Sequence, residues 1–359
     1  MPTDSTLHFV SSYRNGSASR PECKASPLLG VLFGIVYRHM GRPGTFVVSL
    51  DFELFWGMHD VVSREEYGPR ILGVREAIPK ILELFEKYDI HATWAVVGMV
   101  ACKDVEHLQL SLPDTEPEYE NKQYSTYEHI RTGAVTGESA RYYFAPELVE
   151  QVRRTKGQEV GCHTFSHYFC NEAGATPEAF RADIKTWNTV VNAGESAHSI
   201  VFPRNQVDSK HLAVCRELGI QTYRGNQQHA LYDTHDTNKQ YKPQYRLLRL
   251  IDSYVNISGH HTYPVPQKGT DIANVPASRF WRPYSRTLSA LEPLKQRRVM
   301  SGMTHAAQHG EVFHLWWHPH NFGFDTQKNL DSLEIVLKHF ATLREQRTME
   351  SKSMGELVS

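Results

Sequence analysis

The chain has 359 residues, 40% of them hydrophobic and 22% charged, which suits a soluble globular protein with one large α/β domain or two smaller ones. Its 39 Lys plus Arg balance 40 Asp plus Glu, so no strong long-range field draws it to nucleic acid, and a small or neutral substrate is expected. Five cysteines (Cys23, Cys102, Cys162, Cys170, Cys215) form an odd set without a C-x-x-C pair, which fits reduced thiols in a cytoplasmic protein and argues against thiolate-held zinc.

Met1 to Lys24 is polar and Ser-rich, and the apolar run that follows, Leu28 to Tyr37, falls well short of the roughly 20 residues that span a bilayer. No small-residue cleavage site follows it. Residues 1–40 are therefore expected to be a poorly ordered extension, residues 41–345 the functional domain, and residues 346–359 a C-terminal tail. No transmembrane span is expected, with peripheral membrane association as the alternative to a free cytoplasmic location.

From Thr45 the pattern alternates between β and α. Thr45 to Phe52 reads as a buried strand, Ile71 to Tyr88 as an amphipathic helix, and His91 to Gly98 as a second strand. A polar stretch from Cys102 to Tyr143 shows no strong period and reads as a functional insertion. Pro146 to Lys156 reads as a helix with proline in its first turn. Short strands are predicted at Glu159 to Cys162, Ser199 to Phe202 and Ile220 to Tyr223, with helices at Pro177 to Val191 and Ser209 to Leu218. Glu311 to Trp317 is the last predicted strand and Gln327 to Leu343 the last helix. Repeated strand–helix units imply a mostly parallel sheet, open or closed into a barrel.

In such folds the working residues gather at the carboxyl ends of strands, and four groups obey that rule. Asp51 and Glu53 end the first strand and, by strand alternation, face one side. His163 and His167, spaced i and i+4, share one face of a helical turn, so both imidazoles reach one cation. A carboxylate with two imidazoles makes the open-sided set that catalytic divalent metals use. Arg204, in Phe202-Pro203-Arg204-Asn205, places a guanidinium where it can hold a carboxylate in register. The last strand leads into Trp316-Trp317-His318-Pro319-His320-Asn321, where a histidine can protonate a leaving amine and aromatics can stack on a sugar. Trp317, His320 and Asn321 are the candidates for substrate binding there.

The order D-x-E, G-x-H-T-F-S-H, F-P-R-N and W-H-P-H resembles the NodB-homology polysaccharide deacetylases, carbohydrate esterase family 4, in a divergent branch associated with bacterial surface-polysaccharide genes. Glu159 to His167 carries the most specific match, and Ala92 to Gly98 is similar to the family's A-T-F-F-V-x-G strand. The resemblance implies a deformed (β/α) barrel of about seven parallel strands. It also implies one divalent metal ion, Zn first with Co, Ni or Mn as alternatives, on His163, His167 and Glu53. Asp51 is then the base, with the roles of Asp51 and Glu53 exchangeable, and His318 or His320 the acid. Arg204 matches the family's motif arginine in kind, although Phe-Pro-Arg departs from the usual local order. The implied activity is removal of an N-acetyl or N-formyl group from an amino sugar or oligosaccharide. The rivals are an amidohydrolase of a non-sugar or cyclic amide and a non-catalytic carbohydrate-binding homologue. A glycosidase using Asp51 and Glu53 would leave the histidines unexplained.

Overall fold

The computed structural model describes residues 42–232, 242–267, 269 and 271–359; the expected extension over residues 1–40 lies outside them. Strand β1 (Gly44–Phe52) is buried along its whole length, as a central parallel strand must be, and its β-branched and aromatic residues suit that position. Helix α1 (Arg64–Tyr88) follows. Ser63 caps it by accepting the Glu66 amide at 3.2 Å, and Ile71, Val74, Ile78, Ile81 and Phe85 form the buried stripe. It starts at Arg64 rather than Ile71 because it runs through Pro69, whose missing N–H removes only one early bond.

Strand β2 (Ala92–Val96) leads into the polar stretch expected to be an irregular insertion. That stretch instead carries α2 (Val105–Leu110) and α3 (Thr126–Arg131), capped by Asp104 and Ser125. Next come α4 (Pro146–Arg154), β3 (Gln158–Cys162), α5 (Pro177–Asn192), β4 (Ser199–Ile200), α6 (Ser209–Glu217) and β5 (Thr222–Tyr223). The remaining elements are α7 (Pro243–Asp252), β6 (Ala273–Asn274), β7 (Arg279–Phe280), α8 (Glu292–His309), β8 (Val312–Trp317), α9 (Thr326–Glu345) and β9 (Met349–Ser351). None of the helices among the described residues is long and apolar enough to cross a membrane. Cys102, Cys162, Cys170 and Cys215 are buried free thiols.

The strands pair in parallel in the order β6-β5-β4-β3-β2-β1-β8-β7, with β9 beside β1. The nine strands described exceed the expected seven or so through two- and three-residue pieces, and the curled sheet is that of the expected deformed (β/α) barrel. Residues 273–281 link its two edges. The amides of Ala273, Val275 and Ala277 bond toward the β5 side, whereas those of Ser278 and Trp281 bond to His314 and Trp316 of β8. Pro276, without an N–H, sits where the chain changes partner.

Side-chain parity sorts the two faces of β1. Phe46, Val48, Leu50 and Phe52 pack into the helix layer, while Val47, Ser49 and Asp51 alternate with them onto the inner face. Residues 346–359, expected to be a tail, belong to the barrel. β9 pairs with the first residues of β1, and Met354, Leu357 and Val358 pack against Val47, Ala95, Val201 and Val312 to floor the interior. Apolar burial holds them there, and the Met354 amide adds a 2.8 Å bond to Thr93 Oγ1.

Candidate metal centre

Glu53 begins the turn after β1, with φ −118° and ψ −15°, and its carboxylate folds back over Gly57 so closely that any Cβ there would strike it. His163 and His167 face this carboxylate from the loop after β3. Their Nε2 atoms lie 3.5 and 3.2 Å from Glu53 Oε2, and all three side chains are buried.

The two histidines do not converge through a helical turn, as the spacing predicted. Residues 163–167 form an irregular loop in which Thr164 and His167 take left-handed φ values of 61° and 57°. Buried Asp183 of α5 clamps the loop by accepting the amides of Phe165 and Ser166 at 2.5 and 3.0 Å, together with the Ser166 hydroxyl. Thr164 Oγ1 accepts the Tyr168 amide at 2.7 Å. The helical reading failed because local side-chain bonds satisfied these amides more completely than one isolated turn could.

The donor set fits a divalent cation. His163 Nδ1 lies 2.7 Å from the Val201 carbonyl, so it carries the proton and leaves the Nε2 lone pair directed at Glu53. The ligand atoms of Glu53, His163 and His167 all lie within 4.8 Å of one another. Burial opposes charge on Glu53, but His318, His163 and His167 outweigh it and hold the carboxyl well below its ordinary range.

Asp51 stands beside this set rather than in it. Arg224, immediately after β5, donates to both of its oxygens at 2.7 Å. Burial raises the Asp51 pKa, but the Arg224 guanidinium prevails and the net shift is downward, so the group stays ionised. Arg224 also donates to Ser49 Oγ and Asn205 Oδ1, each at 3.0 Å, and lies 4.1 Å over the Trp316 ring. Sequence reasoning missed Arg224 although it follows a predicted strand end, where the same rule applied. It also missed Asp183, which no local motif signals.

Arg204 does not hold Asp51 or Glu53. It pairs with Asp60 and stacks on Phe169 at 4.0 Å, while its neighbour Asn205 carries the motif's contact to Arg224. The backbone explains the swap, since Arg204 and Asn205 both have φ of 53° and the turn redirects both side chains.

The last motif divides unevenly. His318 Nε2 lies 3.8 Å from Asp51 Oδ2 and 3.7 Å from Glu53 Oε1, and its side chain is 23% exposed, which leaves it open to a substrate. His320 stacks on it at 4.8 Å but is buried, and burial pushes its pKa down to about 3. Trp317, expected on the substrate face, is wholly buried beside Phe85 and Phe322. Register places Trp316 opposite Ser49 on the inner face and Trp317 opposite Leu50 on the helix face. Asn321 accepts the His318 amide at 3.3 Å and shapes the turn rather than the substrate surface.

Residues 66–223, which include His163 and His167, match the polysaccharide deacetylase family model, bearing out the resemblance read from the motifs. No curated protein sequence matches the chain. Among solved structures, the chain is similar to a Mycobacterium smegmatis protein assigned as a polysaccharide deacetylase, at 12% identity and TM-score 0.50, covering 89% of this chain and 92% of that one. It is also similar to the α-amylase AmyC of Thermotoga maritima (10% identity, TM-score 0.52, 88% and 74% covered). A 4-α-glucanotransferase from Thermococcus litoralis matches at 10% identity and TM-score 0.50, with 89% and 40% covered. At these identities the likeness shows the fold alone.

Proposed function

Taking the polysaccharide deacetylase match of residues 66–223 as premise, we propose that the protein is a metal-dependent hydrolase that removes an N-acyl group, acetyl or formyl, from an amino sugar. The observation that carries this reading is the buried Glu53–His163–His167 set with Asp51 and His318 on its border. When bound, a divalent ion on these three ligands, Zn first by its preference for imidazole and carboxylate, supplies Lewis acidity toward water and the acyl carbonyl.

Asp51, kept ionised by Arg224, accepts the proton of the attacking water at Oδ2, whose second lone pair remains available beside the Arg224 bond. His318, the more exposed histidine of its pair, donates a proton to the departing amine. Hydrolysis then yields a carboxylate and a free amino sugar. His163 and His167 keep fixed positions throughout, because Asp183 and the Val201 carbonyl restrain their loop.

Elemental analysis of wild type beside the His163→Ala/His167→Ala double variant tests the site. About one equivalent of divalent metal is expected in wild type by the three-ligand rule for catalytic sites, and none in the variant. Asp51→Asn should keep the metal and lose acetate release from N-acetylated oligosaccharides. Turnover of a cyclic amide in place of the sugar would overturn the substrate class, and a wild type that never takes metal would overturn hydrolysis itself.

A further inference from the structure

Beside His318 lies a cavity of about 250 Å³ lined by Trp316, Phe280, Asn205 and three arginines, Arg249, Arg279 and Arg282. The Phe280 ring centre is 6.0 Å from His318 and 4.7 Å from Trp316, so the cavity adjoins the proposed reactive centre through an aromatic wall. Three guanidinium groups around one small cavity stand out in a chain whose charges otherwise cancel.

Arg279 is buried and spends its charge on Asp252, a carboxylate that Arg298 also approaches at 3.7 Å. Arg282 is placed differently. Its Nε donates to Ser253 Oγ at 2.7 Å, and among the described residues it forms no ion pair with a carboxylate. Burial pulls its pKa down, and the neighbouring Arg249 and Arg279 add to that shift. A half-buried guanidinium in that condition gains by meeting an anion, and its planar fork matches a carboxylate or phosphate.

Building on the deacetylase reading of the neighbouring centre, we propose that this cavity is a subsite for an anionic group, phosphate or carboxylate, carried by the saccharide substrate, with Arg282 as its principal contact. Phe280 and Trp316 offer apolar ring faces to the sugar between the anion and the N-acyl group. The substrate class thereby narrows from N-acylated sugars in general to acidic or phosphorylated ones.

Titration calorimetry on the full chain tests this with three probes: N-acetylglucosamine 1-phosphate, N-acetylglucosaminuronate and neutral methyl N-acetylglucosaminide. At least one anionic probe is expected to bind about tenfold or more tightly than the neutral one, the size of a charge-assisted bond. The better of the two identifies phosphate or carboxylate. Arg282→Gln should bring the ratio close to one and Arg282→Lys should restore part of it, with melting temperature and metal content reporting an intact fold. A wild-type ratio near one, a failure of every probe to bind, or a ratio that survives Arg282→Gln would overturn the subsite. Acetate release is measured separately. A preference without hydrolysis sinks the deacetylase reading alone, and hydrolysis without a preference sinks the subsite alone.

Discussion

Arg224 grips Asp51 through both carboxylate oxygens at 2.7 Å, and both side chains are buried. Removing one member of such a pair strands the other charge. Arg224→Gln is expected to lose roughly 3–5 kcal/mol of stability, the usual cost of breaking a buried pair. Arg204→Gln, which frees Asp60 rather than the proposed base Asp51, should retain far more activity. Urea unfolding and acetate release on both variants check this, and equal loss of activity would show that Arg204 has a direct part in the chemistry.

The adjacent tryptophans should separate stability from substrate handling. Trp317→Ala opens a hole in the helix-facing core and is expected to cost about 3–5 kcal/mol. Trp316→Ala removes the surface under Arg224 and beside His318, so it should act mainly on KM and kcat. Denaturation midpoints and steady-state kinetics distinguish the two. The opposite pattern would mean that the strand register is wrong.

His314 predicts a pH dependence. Its Nδ1 donates to the Val275 carbonyl at 3.1 Å and its Nε2 accepts from Ser49 Oγ at 2.8 Å, a network that requires the neutral ring. Burial, and then Arg224, push its pKa from an ordinary 6.5 to about 3. A depressed histidine contributes stability above its unfolded value and loses it as the pH falls. Wild type should therefore lose about 1.4 kcal/mol per pH unit relative to His314→Gln between the unfolded and folded values. Unfolding curves from pH 7 to pH 4 give the difference directly, and a constant difference across that range would rule out the assignment.

Deleting residues 349–359 should destabilise the domain, since Met349, Met354, Leu357 and Val358 are each less than 9% exposed. Each buried side chain of this size is worth about 1.5–3 kcal/mol. A truncated protein with an unchanged melting temperature would show that the interior does not depend on this floor.

How much of this was legible in the sequence depended on how far chemistry repeats along the chain. β1, β2 and β8 declared themselves through largely apolar, β-branched and aromatic runs, and the rule of strand ends led to Asp51, Glu53, His163, His167 and His318. Helix α8 was passed over because its charged and small residues, among them Arg297, Arg298, Ser301 and Gly302, mask a narrow buried stripe. The two-residue strands β6 and β7 hold no period that could be read. Trp316 was available to simple parity, since a strand that sends His314 inward must send Trp316 inward and Trp317 outward. Arg224 and Asp183 owe their roles to partners 173 and 18 residues away; the strand end before Arg224 pointed to its place, but no local pattern named either partner.

The handover at Pro276 divides stiffness within the barrel. β1, β2, β3 and β8, which hold or precede the candidate ligands and the reactive pair, are joined by long ladders. The span from Ala273 to Trp281, whose Arg279 and Phe280 line the cationic cavity, hangs on a few backbone bonds shared between two different neighbours. Sparse ladders open at lower free energy than dense ones. On the proposed reading, the wall that would meet the bulk of a saccharide is thus the compliant one, able to accommodate different chain shapes while the opposite wall holds the proposed reacting groups in register. Amide exchange would display the contrast as early loss of protection at Val275, Ala277 and Ser278 against lasting protection along β1.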